Sequence, residues 1–121
     1  MRRMALCALA ATAVTAAGGA AAVQAKTTLS LRADAKGALK FNKTTLRAKP
    51  GAVTVRLTNP SGSGKPHAVE IEGKGREKKS KVVNPGRSTS VTITLKRGTY
   101  EFYCPVGNHR AAGMKGKLIV K

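Results

Sequence analysis

The chain is short of the side chains from which most catalytic and nucleic-acid-binding sites are built. Only five of its 121 residues are acidic, namely Asp34, Glu70, Glu72, Glu77 and Glu101, and they show no pairing suited to general acid–base work. No serine lies in a nucleophile motif. These two absences argue against an enzyme. Two tyrosines and two phenylalanines are enough for a core and leave little for stacking on bases. Together with the N-terminal segment described below, that argues against nucleic acid as a partner. Helical periodicity, internal repeats and a second domain are also missing, and the length suits one modest core.

Base is what the chain has in excess. Twenty-three Lys and Arg against the five acids give a formal net charge of +18, which by itself favours an acidic protein, an anionic envelope surface or nucleic acid as a partner and says nothing about fold. A solvated basic surface with no dedicated docking role is the plainer alternative. Residues 1–25 have the pattern of a secretory signal peptide: Arg2 and Arg3, an uncharged Ala-rich run from Met4 to Val23, then Val23-Gln24-Ala25 at a cleavage site. A run of about 20 apolar residues is also long enough to anchor, but this one is mostly Ala and Thr, which favours cleavage. Cys7 precedes most of the apolar run and lacks a small residue before it, so a lipoprotein site is excluded. The expectation is an exported monomer, periplasmic, cell-envelope or extracellular, with one domain over 26–121. Its one remaining cysteine, Cys104, is odd in number where oxidants consume idle thiols.

The remainder alternates with period two and is broken by turns. Lys26–Arg32, Ala38–Phe41, Thr44–Ala48, Ala52–Asn59, His67–Glu72, Ser80–Val83, Ser88–Leu95, Thr99–Cys104 and Gly116–Lys121 are the candidate strands. Asp34-Ala35-Lys36-Gly37, Lys49-Pro50-Gly51, Asn84-Pro85-Gly86 and Lys96-Arg97-Gly98 are the turns. Gly73–Lys79 reads as an exposed basic loop. The pattern predicts an all-β protein, an antiparallel Greek-key β-sandwich of roughly seven to eight strands.

Three side chains that copper prefers lie in one short stretch, Cys104, His109 and Met114. A thiol, an imidazole and a thioether together suit an ion cycling between Cu(I) and Cu(II). A fourth ligand has to come from elsewhere, and the one other histidine is His67, which starts the row His67, Val69, Ile71 on one strand face. Taken singly, His67 reads as a core or turn histidine and Met114 as packing; taken together they read as a metal site. Two histidines are too few for oxygen chemistry at several coppers, and a binuclear centre needs a second cysteine near Cys104. A copper chaperone or storage protein is the alternative, but Met114 is the only methionine beyond the N-terminal segment.

From Lys49-Pro50-Gly51-Ala52-Val53-Thr54-Val55 to Gly116-Lys117-Leu118-Ile119-Val120, and most of all in Gly98-Thr99-Tyr100-Glu101-Phe102-Tyr103-Cys104 and the loop after it, the sequence resembles the cupredoxins, the type 1 blue copper proteins. The Cys-x4-His-x4-Met spacing is closer to the rusticyanin and auracyanin types than to plastocyanin, whose loop is shorter. The resemblance implies one copper held by His67, Cys104 and His109 with Met114 on the axis, in an electron carrier that is not an enzyme. It also implies a surrounding shell in which the backbone amides of Ala68 and Val106 donate to the sulfur. Many relatives have Asn where this chain has Ala68, so that brace is missing and Asn59 is the candidate substitute. Pro105, Val106, Ala111 and Ala112 would form a small apolar docking patch around His109, with Arg110 and Lys115 at its rim to steer an acidic partner.

Overall fold

The computed structural model describes residues 25–121. The expected export segment therefore lies outside the described residues, apart from Ala25. Eight strands follow in chain order: β1 (Ala25–Arg32), β2 (Thr45–Ala48), β3 (Gly51–Asn59), β4 (Glu70–Gly73), β5 (Arg76–Lys79), β6 (Arg87–Leu95), β7 (Gly98–Tyr103) and β8 (Lys115–Val120). The only helical piece among the described residues is one 3-10 turn, Ser61–Ser63. No helix there is long and apolar enough to cross a membrane.

The strands form a three-stranded sheet, β1-β3-β6, and a five-stranded sheet, β2-β8-β7-β4-β5. In β3 every second residue is buried, Val53, Val55 and Leu57 among them, as are Val91, Ile93 and Leu95 in β6 and Leu118 and Val120 in β8. The β3 and β6 rows of the three-stranded sheet share one core with Leu118, Val120, Ile71, Tyr100 and Phe102 of the five-stranded sheet. Each fully buried aliphatic or aromatic side chain contributes about 1.5–3 kcal/mol by leaving water. The all-β two-sheet architecture is the one expected, with one difference in strand direction: β1–β3 and β2–β8 are parallel, so both sheets are mixed. Side-chain alternation reports which face a residue occupies and is blind to its neighbour's direction.

The structure corrects the reading of residues 73–79. They are the last residue of β4, the turn Lys74-Gly75 and the whole of β5, which pairs back on β4 as a hairpin. Both turn residues have positive φ, 49° and 76°, which is the signature of the two-residue turn favoured in hairpins. All four side chains of β5 are exposed, so no alternation marks it, and its Arg and Lys side chains charge a sheet edge that would otherwise pair with other chains. Of the expected Ala38–Phe41 and Ser80–Val83 strands only single bridges form, Ala33 with Phe41 and His67 with Val83.

Gly116 in β8 lies against the Phe102 ring and the Thr44 carbonyl, with no room for a Cβ. Gly116→Ala should therefore cost about 1–3 kcal/mol. A urea midpoint unchanged from wild type would contradict this tight packing.

Candidate metal centre

Two separate stretches of chain make the site. The first reaches it through His67, whose N–H donates to Val83 O at 3.1 Å and whose carbonyl accepts from Val83 N at 2.9 Å. Asn59, fully buried at the end of β3, holds that stretch from behind. Its amide donates to Lys65 O (2.8 Å) and Val83 O (2.9 Å), and its Oδ1 accepts from Ser63 Oγ (2.6 Å). Asn59 thus braces the approach to His67, and its side-chain bonds go to Lys65, Val83 and Ser63.

The second stretch is the loop from β7 to β8. Cys104 follows directly after β7, whose Tyr100 and Phe102 point into the core. The loop then closes on itself: Cys104 N–H donates to Met114 O, Met114 N–H to His109 O and His109 N–H to Val106 O, each at 3.0 Å. Backbone bonding alone therefore gathers Cys104, His109 and Met114, and Met114 is fully buried.

Where the stretches meet, the ligating atoms of His67, Cys104 and His109 all lie within 4.8 Å of one another. Cys104 Sγ is 3.8 Å from His67 Nδ1 and 3.4 Å from His109 Nδ1. At usual lengths of about 2.3 Å to sulfur and about 2.0 Å to nitrogen, with an angle of about 120°, the two donor atoms on one ion lie about 3.7 Å apart. The observed separations bracket that value, so the residues fit a single small ion. Among the described residues no other group of three such side chains is gathered.

The electrostatics suit a metal too. Burial first, then His109 and Lys65, depress the His67 pKa from 6.5 to about 4, and burial with Lys65 lowers that of His109. Both imidazoles are therefore neutral, as ligation requires. Burial raises the Cys104 pKa, while backbone hydrogen bonds from Ala68 and Val106 pull the other way. A buried thiol of this kind stays protonated and inert until a cation displaces its proton. His67 Nε2 is buried with no hydrogen-bond partner.

Around the site, His109 is partly exposed among Pro105 and Val106, both half-buried, and the exposed Ala111 and Ala112, while Lys115 is exposed. Arg110 is occupied within the molecule: its guanidinium binds Glu101, approaches Glu72 and lies over the Tyr103 ring. The sequence had no signal for that contact, nor for Lys65, whose Nζ donates to Gly37 O (2.8 Å) while its charge acts on both histidines.

A two-sheet β fold with a buried Cys between two imidazoles and a Met on the same loop defines a cupredoxin. Residues 27–121 match the family described as copper binding proteins, plastocyanin/azurin family, and the chain belongs to that family. Among solved structures it is similar to auracyanin B, at 26% identity over 82% of this chain and 91% of that one, with a TM-score of 0.70. It is likewise similar to auracyanin A, a "blue" copper protein from Chloroflexus aurantiacus, at 24% identity over 80% of this chain and 100% of that one, TM-score 0.66. A copper nitrite reductase from Nitrosomonas europaea matches at 22% identity over 80% of this chain and 42% of the enzyme, TM-score 0.64. A single copper ion is the cofactor this family and donor set suit.

Because His67 is neutral in the fold and free to protonate when unfolded, the unfolded chain binds the extra proton between pH 6.5 and about 4. Stability of the metal-free protein should be full above pH 6.5 and fall toward pH 4, by up to about 3 kcal/mol. Urea midpoints across that range should show the slope, and His67→Gln should flatten it. Equal slopes in the two proteins would remove His67 as the source.

Proposed function

We propose that this protein is an exported carrier of single electrons in which His67 Nδ1, Cys104 Sγ and His109 Nδ1 would hold one copper, with the Met114 thioether as a further, weak ligand. The observation that carries the reading is the meeting of one buried sulfur and two neutral imidazole nitrogens within 4.8 Å, from two stretches of chain. Copper in such a set supplies a one-electron Cu(II)/Cu(I) couple in a geometry acceptable to both states.

The chain's own residues do the rest. Asn59 and the Val83 bridge fix His67, and the backbone bonds among Cys104, His109 and Met114 fix the loop. Because neither stretch has to move far, reorganisation on electron transfer is small. The amides of Ala68 and Val106 stabilise charge on the sulfur and so adjust the potential. His109 is the exit for the electron, since it reaches the surface amid Pro105, Val106, Ala111 and Ala112, a patch of small or apolar side chains on which a redox partner can dock.

Lys115 and the net charge of +18 favour an acidic partner or an anionic envelope surface. The charged edge strand β5 supports a monomer, and the Ala-rich segment after Arg2 and Arg3 supports export. An electron carrier is favoured over an enzyme because, among the described residues, one three-ligand cluster is gathered and its atoms lie close enough to share a single ion.

Titrating the metal-free protein with Cu(II) should give one equivalent bound, an intense blue charge-transfer band and a reversible redox couple. Cys104→Ser should abolish the band, since its origin is the sulfur-to-copper transition. A chaperone or storage protein would bind copper without a stable blue Cu(II) state. Blue colour that survives in Cys104→Ser would remove Cys104 from the site and end this reading.

A further inference from the structure

Acidic residues are scarce here, yet the fold sets three of them side by side. Register across the five-stranded sheet places Glu72 of β4 directly opposite Glu77 of β5 and directly opposite Glu101 of β7. Like charges in facing positions of a sheet are destabilising. In a chain with 23 bases and five acids, such a row needs a compensating partner.

That partner comes from the ligand loop. Arg110, the residue after His109, sends its guanidinium over the edge of the loop onto the outer face of the sheet. One nitrogen binds Glu101 Oε1, the other lies 3.8 Å from Glu72 Oε1, and the guanidinium carbon sits 3.9 Å above the centre of the Tyr103 ring. Tyr103 in turn donates its hydroxyl to Glu72 Oε1 at 3.0 Å, so the platform under the arginine is itself held. Tyr103 immediately precedes Cys104, and Arg110 immediately follows His109. The contact therefore ties the two ends of the Cys104–His109 segment to each other and to β4.

We propose that Arg110 is a positioning residue, a clamp that holds the His109 loop against β4 and β7 before any metal is bound and so fixes His109 relative to Cys104. The inference rests on the reading of His109 as a copper ligand. It also reassigns the arginine's charge: with two carboxylates beside it, Arg110 contributes little to attracting an acidic partner, and Lys115 is left as the rim cation with no ion pair among the described residues.

A planar guanidinium suits this task because it bridges two carboxylates while stacking on an aromatic face, which an ammonium cannot do. Single exposed ion pairs are weak, and what distinguishes this one is the coupling of two carboxylates, a hydroxyl and a ring through one group. Its effect should therefore be local, felt by residues 105–113 and by the site, with the far sheet untouched.

The test compares wild type, Arg110→Gln, Glu101→Gln and Arg110→Lys. Amide hydrogen exchange is measured on the full metal-free chain, and visible spectra and electron self-exchange are measured on the copper-loaded protein. Exchange at residues 107–113 should quicken by about threefold to tenfold in Arg110→Gln and in Glu101→Gln, with amides of β3 and β6 unchanged. The charge-transfer bands should shift in relative intensity and self-exchange should slow, while Arg110→Lys should recover only part of each effect. If Arg110→Gln does not fold, Glu101→Gln carries the test alone. Unchanged loop exchange and unchanged bands would overturn the clamp, as would a loss of protection spread evenly over both sheets. A wild-type protein with no blue copper state would instead sink the copper reading, and the metal-free exchange data would still report on the clamp.

Discussion

The structure depends on keeping one sulfur buried between two uncharged imidazoles. Cys104 is fully inaccessible, and burial alone would hold it as an unreactive thiol. His67, equally inaccessible, is held neutral by the same lack of water. A pocket in which a thiol and one imidazole have lost their solvent, and His67 Nε2 has gained no internal partner, is unfavourable by itself, because buried polar groups without partners cost free energy. The β sandwich has to supply that free energy through its core, and a metal ion held by all three atoms would return it. Folding and metal binding would then be coupled through these side chains.

The two sheets divide that work. β3 and β6, long and regularly alternating, bury most of the aliphatic rows and hold Asn59 at the end of β3, from which the approach to His67 is hung. β7 and β8 instead act as the two posts of the ligand loop, so Cys104 begins where β7 ends and Met114 lies directly before β8. A loop closed by internal backbone hydrogen bonds between such posts has few conformations left to lose on binding an ion.

Much of this was legible in the residues. The inward row of His67, Val69 and Ile71 and the sequence Tyr100, Phe102, Cys104 placed a histidine and a cysteine toward one interior, and the scarcity of histidine left few ways to complete a ligand set. Asn59, named for want of an Asn after His67, proved to be buried and to hold Lys65 and Val83, although its side-chain bonds leave the Cys104 loop to other contacts. Ala68 matters through its backbone, which hydrogen-bonds the sulfur and so links the two ligand stretches without any side chain. What could not be read was lateral. The parallel pairing of β1 with β3 and of β2 with β8, the exposed arm β5, and the reach of Arg110 to Glu101 are relations between strands, whereas alternation records only the face of one strand.

The distribution of charge follows from the same division. The strands of the three-stranded sheet contain no acid and four bases, Lys26, Arg32, Arg56 and Arg87, whereas Glu70, Glu72, Glu77 and Glu101 all belong to the five-stranded sheet. Glu70 is buried there, and burial together with Glu77 raises its pKa. The carboxylates beside the ligand loop thus serve inward, toward Arg110 and Tyr103, and leave the surface potential of the molecule set by its lysines and arginines. His109 is bordered by the small or apolar Pro105, Val106, Ala111 and Ala112, with the basic surface of the molecule beyond them. A net positive field of this kind acts at a distance on any anionic molecule, whereas an uncharged patch beside His109 leaves few charged groups to be stripped of water on contact there.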